Sequence, residues 1–344
     1  MTNTANPITR EATVPCRVNL IGEWIDFNGG IVLPMTLQPS VTVQVASNGS
    51  SVDRIKSPGF AVCPDFAVDA PAEDHWSDYV RGALQYARNR NWIENGQDVS
   101  VESGIPAGAG LSSSAAIIVA TLKATSAGFA DIDGDALAFA AKEIENNFIG
   151  VPCGIMDQMA VALGEPGKVL ALDTSDCTYF LLDLPETWTV VVVHSGIRRS
   201  LSDGRYRVRR NECLESAAAL GVDYLCSASL QSTDTLVEPL LKRARHAISE
   251  AKRSRSAIEA LRTADRSGFG RIMNESHASL RDDMEVSVPG IDDLVADAIG
   301  LGADGARITG AGFGGCIVAL VDPDRLESWW NALKLRHPSI ERVA

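Results

Sequence analysis

PCRVNLIGEWIDFNGGIVLP, residues Pro15–Pro34, is the stretch that says most about the fold of this chain. It places an arginine, an asparagine, a glutamate and an aspartate around the turn Gly22–Gly30. A strand that serves only the core rarely carries so many polar groups, so the stretch is typical of a surface that holds a polar ligand. The segments Ile31–Leu37 and Val41–Val45 that follow have the composition of strands.

The composition is that of a globular protein with an acidic balance. The chain has 344 residues, of which 45% are hydrophobic and 22% charged, and its formal net charge is −13. This length suggests two domains or one large α/β unit. The negative charge argues against nucleic acid or an anionic membrane as the main partner. A nucleotide would have to be held by backbone N–H groups, a metal ion and one or two well-placed cations.

The sequence carries no sign of export or membrane insertion. No apolar run is long enough to span a bilayer, and Met1–Thr13 lacks the basic start and apolar centre of a signal peptide. The seven cysteines are odd in number, scattered and without a C-x-x-C pair. We therefore expect reduced, packed thiols and a cytoplasmic location.

Strands and helices alternate along the chain, which predicts an α/β or α+β class with two lobes. Helices are predicted at Tyr79–Arg90, Ser112–Ala127, Asp135–Asn147, from about Gly154, at Ser202–Leu220, Thr235–Ala264 and Phe269–Arg281, and from Arg325. Strands are predicted at Val99–Ser103, at Val190–Val193 and as a glycine-rich pair within Ala306–Val321, and an acidic turn at Leu181–Glu186.

A glycine-rich segment, Ile105–Ala116 (IPAGAGLSSSAA), leads into an apolar helix. Gly104, Gly108 and Gly110 permit unusual φ angles and close approach of the backbone to a ligand. Three serines open the helix, whose free N–H groups and positive dipole end suit phosphate. A Walker A loop is excluded because no Gly-Lys-Ser/Thr follows the glycines. An ordinary serine-capped turn between a strand and a helix is the alternative.

A second glycine-rich segment imitates the dinucleotide fingerprint. Gly310, Gly312 and Gly315 satisfy the spacing G-x-G-x-x-G. That fingerprint needs a strand before it and a helix after it, whereas Cys316–Val321 is a β-branched apolar run typical of a strand. The segment is therefore not predicted to bind a dinucleotide.

Three segments resemble the signatures of galactokinases, which belong to the GHMP family of small-molecule kinases together with homoserine and mevalonate kinases. These are Pro15–Pro34, the P-x-x-x-G-L-S-S-S-A run within Ile105–Ala116, and Ala306–Leu320. Similarity extends to Trp76–Gly82, Ser202–Arg210 and Glu275–Ser287. The resemblance implies a two-lobed α+β fold with the active site in the cleft between the lobes. A mixed α/β lobe at residues 1–175 would bind sugar and nucleotide, and a ferredoxin-like α/β lobe would span residues 176–344.

The same resemblance implies a sugar-1-kinase that uses ATP and Mg²⁺. It would transfer the γ-phosphate of ATP to the anomeric hydroxyl of galactose, giving galactose 1-phosphate and ADP. Asp157 resembles the catalytic aspartate that faces this hydroxyl, and Arg17 resembles its companion arginine. Glu145 and Ser114 resemble the magnesium ligands. Without the resemblance, an Arg–Asp pair this far apart would more often be a structural salt bridge, and Glu145 could equally be a solvated helix end.

The remaining site residues also follow from the resemblance. Trp76 would stack on adenine, although it reads equally well as a core aromatic. Asp26 and Tyr206 match residues that bind the sugar hydroxyls at C3 and C4, and Gly154 approaches the sugar through its backbone. Glu23 and position 24 match the pair that receives the C6 hydroxyl. The nucleotide phosphates would be cradled by Gly108, Ala109, Gly110, Leu111, Ser112, Ser113 and Ser114.

Trp24 departs from the family pattern, which has a histidine here. Indole offers one donor, no acceptor and a large apolar face. The loss of one polar contact to the sugar can change discrimination by ~1–3 kcal/mol. Two interpretations stay open. Either the indole turns aside or stacks on the sugar and galactose is the substrate, or the preference is altered toward L-arabinose, galacturonate or N-acetylgalactosamine.

A protein of another class, a catalytically silent galactose and ATP sensor that regulates transcription, is the rival hypothesis. The intact serine–alanine run, Asp157 and Arg17 argue against it. The expected partners are a small sugar and ATP, with no nucleic acid and no membrane. The expected assembly state is a monomer or a weak homodimer.

Overall fold

A computed structural model describes residues 9–58, 60, 62–106, 108–128, 132–197 and 204–344. The predictions that fall on Ala107 and on Ser202–Asp203 lie outside these residues. The chain forms two compact units. The first contains Met1–Arg17, Leu37–Ile105 and Ser112–Leu163, and the second contains Val18–Thr36, Pro106–Leu111 and Gly164–Ala344. Within the described ranges, no helix is both long and apolar enough to cross a membrane.

The strands of the first unit form a mixed sheet. Pro34–Ser47 and Gln97–Ser103 run antiparallel, with Val43 opposite Val101. Val52–Lys56 runs parallel to Gln97–Ser103 and also pairs with the short strand Phe66–Ala67. Strand Arg10–Asn19 pairs with Pro34–Ser47. Buried and more exposed residues alternate along Pro34–Ser47 from Val41 onward, as expected where one face of a sheet is covered.

Helices of the first unit surround one apolar helix. That helix, Ser113–Ser126, is buried almost all round, which explains why its sequence has no polar face. The α-helix Gly134–Glu143 continues as a π-helical turn, Ile144–Ile149. The predicted regular helix Asp135–Asn147 is therefore wrong over its last four residues. The other helices of this unit are Asp78–Asn89 and Met156–Leu163.

The second unit contains a four-stranded antiparallel sheet. Its strands are ordered Gly305–Ile308, Cys316–Val321, Thr189–His194 and Glu341–Arg342. Every residue of Cys316–Val321 is buried, which accounts for its continuous apolar run. The strand predicted at Val190–Val193 and the glycine-rich pair within Ala306–Val321 are confirmed.

A second group of strands in this unit corrects one prediction. Lys168–Asp173 pairs antiparallel with Ile31–Val32 and with Tyr179–Asp183. Leu181–Asp183 therefore belongs to a strand rather than to the predicted acidic turn, and Leu181 lies opposite Leu170. Because the residues of this strand are exposed or only half-buried, its sequence lacks the apolar signature of a core strand.

The helices of the second unit include one of 23 residues, Leu240–Arg262. Its buried face carries charged and polar residues, among them Arg243, His246 and Glu250, in addition to alanines. Helix Pro289–Gly300 was not predicted. The remaining helices are Arg205–Leu220, Arg266–Asp282 and Leu326–Arg336, with short 3₁₀ turns at Leu225–Ser227, Leu230–Thr235 and Pro323–Arg325. No disulfide joins the cysteines in the described part of the chain.

Candidate active site

The first unit brings Arg17 and Asp157 together, although 140 positions separate them. Arg17 lies in strand Arg10–Asn19, and Asp157 lies in the first turn of helix Met156–Leu163. The arginine donates from Nε and Nη2 to the same carboxylate oxygen, Oδ1, at 2.8 and 2.6 Å. The arginine side chain is 4% exposed and that of the aspartate is 32% exposed. The pair therefore has a buried cation and a carboxylate that a ligand can reach.

Glu145 lies in the π-helical turn and is buried among hydrogen-bond donors. The Gln158 side-chain amide and the Ser114 hydroxyl donate to its carboxylate, and Cys153 Sγ lies 3.5 Å from Oε2. Burial, and then the negative charge of Asp157, raise the pKa of Glu145. A buried carboxylate beside a hydroxyl and a second carboxylate attracts a hard cation such as Mg²⁺, which prefers oxygen ligands.

Protein groups alone do not complete a metal site here. Among the described residues, no group of three or more His, Cys, Asp or Glu side chains is placed to hold a metal ion. Magnesium usually binds through one or two carboxylates and completes its shell with water and phosphate oxygens. The Glu145 and Ser114 oxygens fit such a site.

In the predicted phosphate loop, every second residue from Gly108 to Ser112 has a positive φ angle. Gly108, Gly110 and Ser112 have φ angles of 73°, 76° and 61°, and the buried helix begins at Ser113. A Cβ added at Gly108 would meet no atom within 4 Å, so the loop is open at this position. Ser112 Oγ is buried and has no hydrogen-bond partner among the described residues. Left-handed residues that precede a helix N-terminus direct N–H groups toward a common point and favour an anion there.

Trp76 belongs to an aromatic group of the first unit. Its ring centroid lies 5.0 Å from that of Phe60 and 5.8 Å from that of His75. Phe60 is 44% exposed, so the group lies at the surface rather than in the core. A flat aromatic surface of this kind can accept a base by stacking.

In the second unit, Trp24 packs against Tyr206. Their ring centroids are 4.8 Å apart and the rings are tilted by 37°, while Phe27 lies edge-on to the indole at 6.1 Å. Trp24 is only 4% exposed and adopts a φ of 64°, a left-handed conformation that is rare for a bulky residue. Its Nε1 is buried and has no hydrogen-bond partner within the described ranges. Two residues predicted to bind the sugar are therefore in contact with each other.

Glu23 is bound to the segment that begins the second glycine-rich loop. Its Oε1 accepts hydrogen bonds from the backbone N–H of Gly310 at 2.7 Å and from the Thr309 hydroxyl at 2.9 Å. Arg307 Nη1 lies 3.4 Å from the same oxygen, and both charged side chains are almost fully buried. These contacts link the turn after Gly22 to the end of strand Gly305–Ile308.

Three family models match the chain. The GHMP kinases N terminal domain matches residues 78–165, the GHMP kinases C terminal model matches residues 257–338, and the galactokinase galactose-binding signature matches residues 4–47. A galactokinase of Roseiflexus sp. (strain RS-1) is 40% identical over 344 residues, covering 96% of this chain and 88% of that protein. The chain belongs to the galactokinase family of GHMP kinases.

Solved structures agree with this assignment. The crystal structure of Lactococcus lactis galactokinase complexed with galactose matches the kinase with a TM-score of 0.91 and 29% identity, covering 97% of this chain and 92% of that one. The structure of Methanococcus jannaschii mevalonate kinase matches with a TM-score of 0.74 at 18% identity and 98% coverage of both chains, which shows the fold alone. The predicted GHMP-kinase fold is confirmed, and the protein is an ATP-dependent sugar kinase.

Apart from Trp76 and the phosphate loop, the predicted site residues of this kinase fall into two groups. In the first unit, Arg17 and Asp157 form one pair and Glu145 and Ser114 another, while Gly154 is buried two residues before the helix that carries Asp157. In the second unit, Glu23, Trp24 and the half-buried Asp26 share one turn, and Tyr206 packs on Trp24.

Sequence reasoning missed Gln158 and Arg307. Gln158 follows Asp157 directly, but a glutamine inside an apolar helix gives no signal of its partner. Arg307 did carry a signal, because it is a single charge within a short apolar strand. A buried arginine needs a carboxylate or carbonyl partner.

Proposed function

We propose that this kinase transfers the γ-phosphate of ATP to the anomeric hydroxyl of galactose, giving galactose 1-phosphate and ADP. The Arg17–Asp157 pair carries the proposal, because it offers an accessible carboxylate beside a buried guanidinium. The galactose-binding signature at residues 4–47 and the likeness to a galactokinase solved with galactose support the choice of sugar.

Asp157 accepts a hydrogen bond from the anomeric hydroxyl and orients it or removes its proton as the phosphoryl group is attacked. Arg17 holds the carboxylate in place through two charge-assisted hydrogen bonds. Its positive charge also stabilises the charge that develops on the phosphoryl oxygens. The two residues thus act as one unit at the reacting centre.

Mg²⁺ would be held by Glu145 and Ser114, with water and phosphate oxygens completing its shell. When bound there, the ion would neutralise the charge of the nucleotide phosphates. Gln158 and Cys153 hold the Glu145 carboxylate in place from the protein side. The phosphates of ATP would lie on Gly108, Ala109, Gly110, Leu111, Ser112, Ser113 and Ser114, and the adenine on Trp76.

Asp26 and Tyr206 would bind the ring hydroxyls at C3 and C4, and the Gly154 backbone would approach the sugar. Trp24 is buried against Tyr206, and the galactose-binding signature that includes this position favours galactose as the main substrate. L-arabinose, which is galactose without C6, is the second candidate, since Trp24 offers no acceptor where Glu23 and position 24 would receive the C6 hydroxyl.

A coupled ADP-release assay tests the proposal with galactose, L-arabinose, galacturonate, N-acetylgalactosamine and glucose. Galactose is expected to give the highest kcat/KM. A higher kcat/KM for another sugar of the panel would replace galactose as the substrate. Binding of sugar and ATP without sugar-dependent ADP release would favour the silent sensor. We further propose a cytoplasmic location, which the free cysteines among the described residues support. The proposed assembly state is a monomer or a weak homodimer.

A further inference from the structure

Two buried polar side chains of helix Leu240–Arg262 contact the backbone of the turn Gly22–Gly30. Because this turn carries the proposed sugar-binding residues Glu23, Trp24 and Asp26, we call it the sugar turn. Glu250 Oε1 accepts a hydrogen bond from the N–H of Gly22 at 3.0 Å. His246 Nε2 lies 3.0 Å from the carbonyl oxygen of Glu23. A carbonyl oxygen only accepts, so this ring nitrogen is the donor. Glu250 and His246 are one helical turn apart and fully buried, so one face of the helix holds two consecutive residues of the turn.

Glu250 is itself fixed on both of its oxygens. Ser276 Oγ donates to Oε1 at 2.7 Å, and Arg253 Nε donates to Oε2 at 2.6 Å. A carboxylate without exposure is costly to keep unless it is paired and hydrogen-bonded, and Glu250 meets both conditions. The acceptor that faces Gly22 therefore has a defined place before any ligand binds.

Gly22 is closely packed beside this acceptor. Its φ is 96°, which favours glycine. A Cβ added here would lie 2.7 Å from Ile31 O, 2.9 Å from Val32 Cα and 3.2 Å from Ser254 Oγ, the last on the same long helix. The backbone at Gly22 is thus packed between a strand of its own turn and the helix.

We propose that Glu250 and His246 are positioning residues for the sugar: they fix the backbone of Gly22 and Glu23 and thereby place Glu23, Trp24 and Asp26. The inference rests on the proposed function, in which these three residues bind galactose. Glu250 and His246 are fully buried, so they act through the turn. Sugar binding need not order a turn that is already held in place. Loss of this prior order is therefore expected to raise the KM for sugar more than the KM for ATP.

A matched pair of double variants isolates the acceptor of Gly22. Glu250→Gln with Arg253→Met keeps an oxygen for the Gly22 N–H, whereas Glu250→Met with Arg253→Met does not. Both lack the buried ion pair, which apolar residues often replace without loss of stability. The second double variant is expected to show a galactose KM at least about tenfold above that of the first, the effect of one buried hydrogen bond. The ATP KM of the second double variant should stay within about threefold of the ATP KM of the first.

Equal galactose KM values in the two double variants would overturn the inference. So would a parallel rise of the KM values for galactose and ATP in the second double variant.

A second pair of variants avoids any charge change. His246→Gln keeps a side-chain donor for the Glu23 carbonyl, and His246→Leu removes it. The galactose KM of His246→Leu is expected to exceed that of His246→Gln by about tenfold. Equal values for this pair would likewise contradict the positioning role.

Glu259→Gln is the control on the same helix, because Glu259 is exposed and forms a surface ion pair with Arg262. Both of its KM values should match those of the wild type. A wild-type protein that releases no ADP with galactose would refute the proposed function. An active wild type whose variant pairs behave alike would refute the positioning inference alone.

Discussion

The Glu23 carboxylate accepts a hydrogen bond from the backbone N–H of Gly310 at 2.7 Å. The same oxygen also accepts a hydrogen bond from the Thr309 hydroxyl and lies close to Arg307. Glu23 therefore has a structural role in addition to its proposed role in sugar binding. The residue therefore joins two of the three family signatures, Pro15–Pro34 and Ala306–Leu320.

Glu23→Ala is expected to lower the free energy of unfolding by about 3–5 kcal/mol, since it leaves the buried Arg307 without its carboxylate. Glu23→Gln should cost less, because its amide oxygen still accepts from Gly310. Denaturant unfolding measures both. The exposed Glu259→Ala serves as control and should change stability by less than about 1 kcal/mol. Equal losses for alanine and glutamine would contradict the role given to the oxygen.

Asp157→Asn is expected to lower kcat by about 10²–10⁴, the usual contribution of a positioned base. The amide has the same size as the carboxylate, so galactose and ATP should still bind, as isothermal titration can measure. Near-wild-type turnover by a folded Asp157→Asn variant would remove the catalytic assignment.

Arg17→Lys keeps the positive charge but cannot donate from two nitrogens of a planar group to Oδ1. We expect kcat to fall by about 10²–10³, as when one charge-stabilising donor is lost at a reacting centre. Arg10→Lys, in the same strand, is the control and should leave kcat unchanged. An Arg17→Lys variant with full activity would show that charge alone is sufficient.

Trp24→His restores a side chain that can donate or accept, at a position whose φ of 64° histidine tolerates better than tryptophan. The ratio of kcat/KM for galactose to that for L-arabinose should rise about tenfold, within the range of one polar contact. Trp24→Phe keeps an aromatic ring against Tyr206 without a polar atom, and its ratio should stay at the wild-type value. A rise in both variants would assign the effect to ring size.

The stability contributed by Glu250 should depend on pH. Burial alone would raise its pKa, but Arg253 and the other neighbouring charges, with the Ser276 hydroxyl, lower it from 4.5 to about 2. The folded state therefore binds fewer protons, and the stabilisation is present above pH 4.5 and lost as the pH falls toward 2. The stability difference between wild type and Glu250→Gln should shrink by about 3 kcal/mol over this interval. A difference independent of pH would contradict this shift.

Many residues of the candidate site could be predicted from short local motifs. Arg17 and Asp157 lie in short motifs whose residues are neighbours in the chain, so the motifs could be recognised without the structure. The partners of Glu23 could not be predicted in this way, because Thr309 and Gly310 lie 286 and 287 positions away. No local pattern in the turn specifies which strand it meets.

The errors in secondary structure have equally physical reasons. The π-helical turn Ile144–Ile149 has side-chain spacing close to that of an α-helix, so the apolar periodicity of the preceding segment did not reveal the change. Strand Tyr179–Asp183 is exposed or half-buried along its length, and its acidic end was therefore interpreted as a turn. In both places the apolar residues do not follow a pattern that identifies the secondary structure.

The separation of Glu23 from Gly310 also bears on how the protein is made. The sugar turn leaves the ribosome 287 positions before Gly310, whose N–H binds the Glu23 carboxylate. At about 5–20 residues per second, synthesis of this interval takes roughly 15–60 seconds. The turn lacks its helix until residues 240–262 have been made, and it lacks its buried arginine until residue 307 has been made. The turn that we propose to bind sugar is thus in the first segment of its unit to be translated and is one of the last parts that can become ordered.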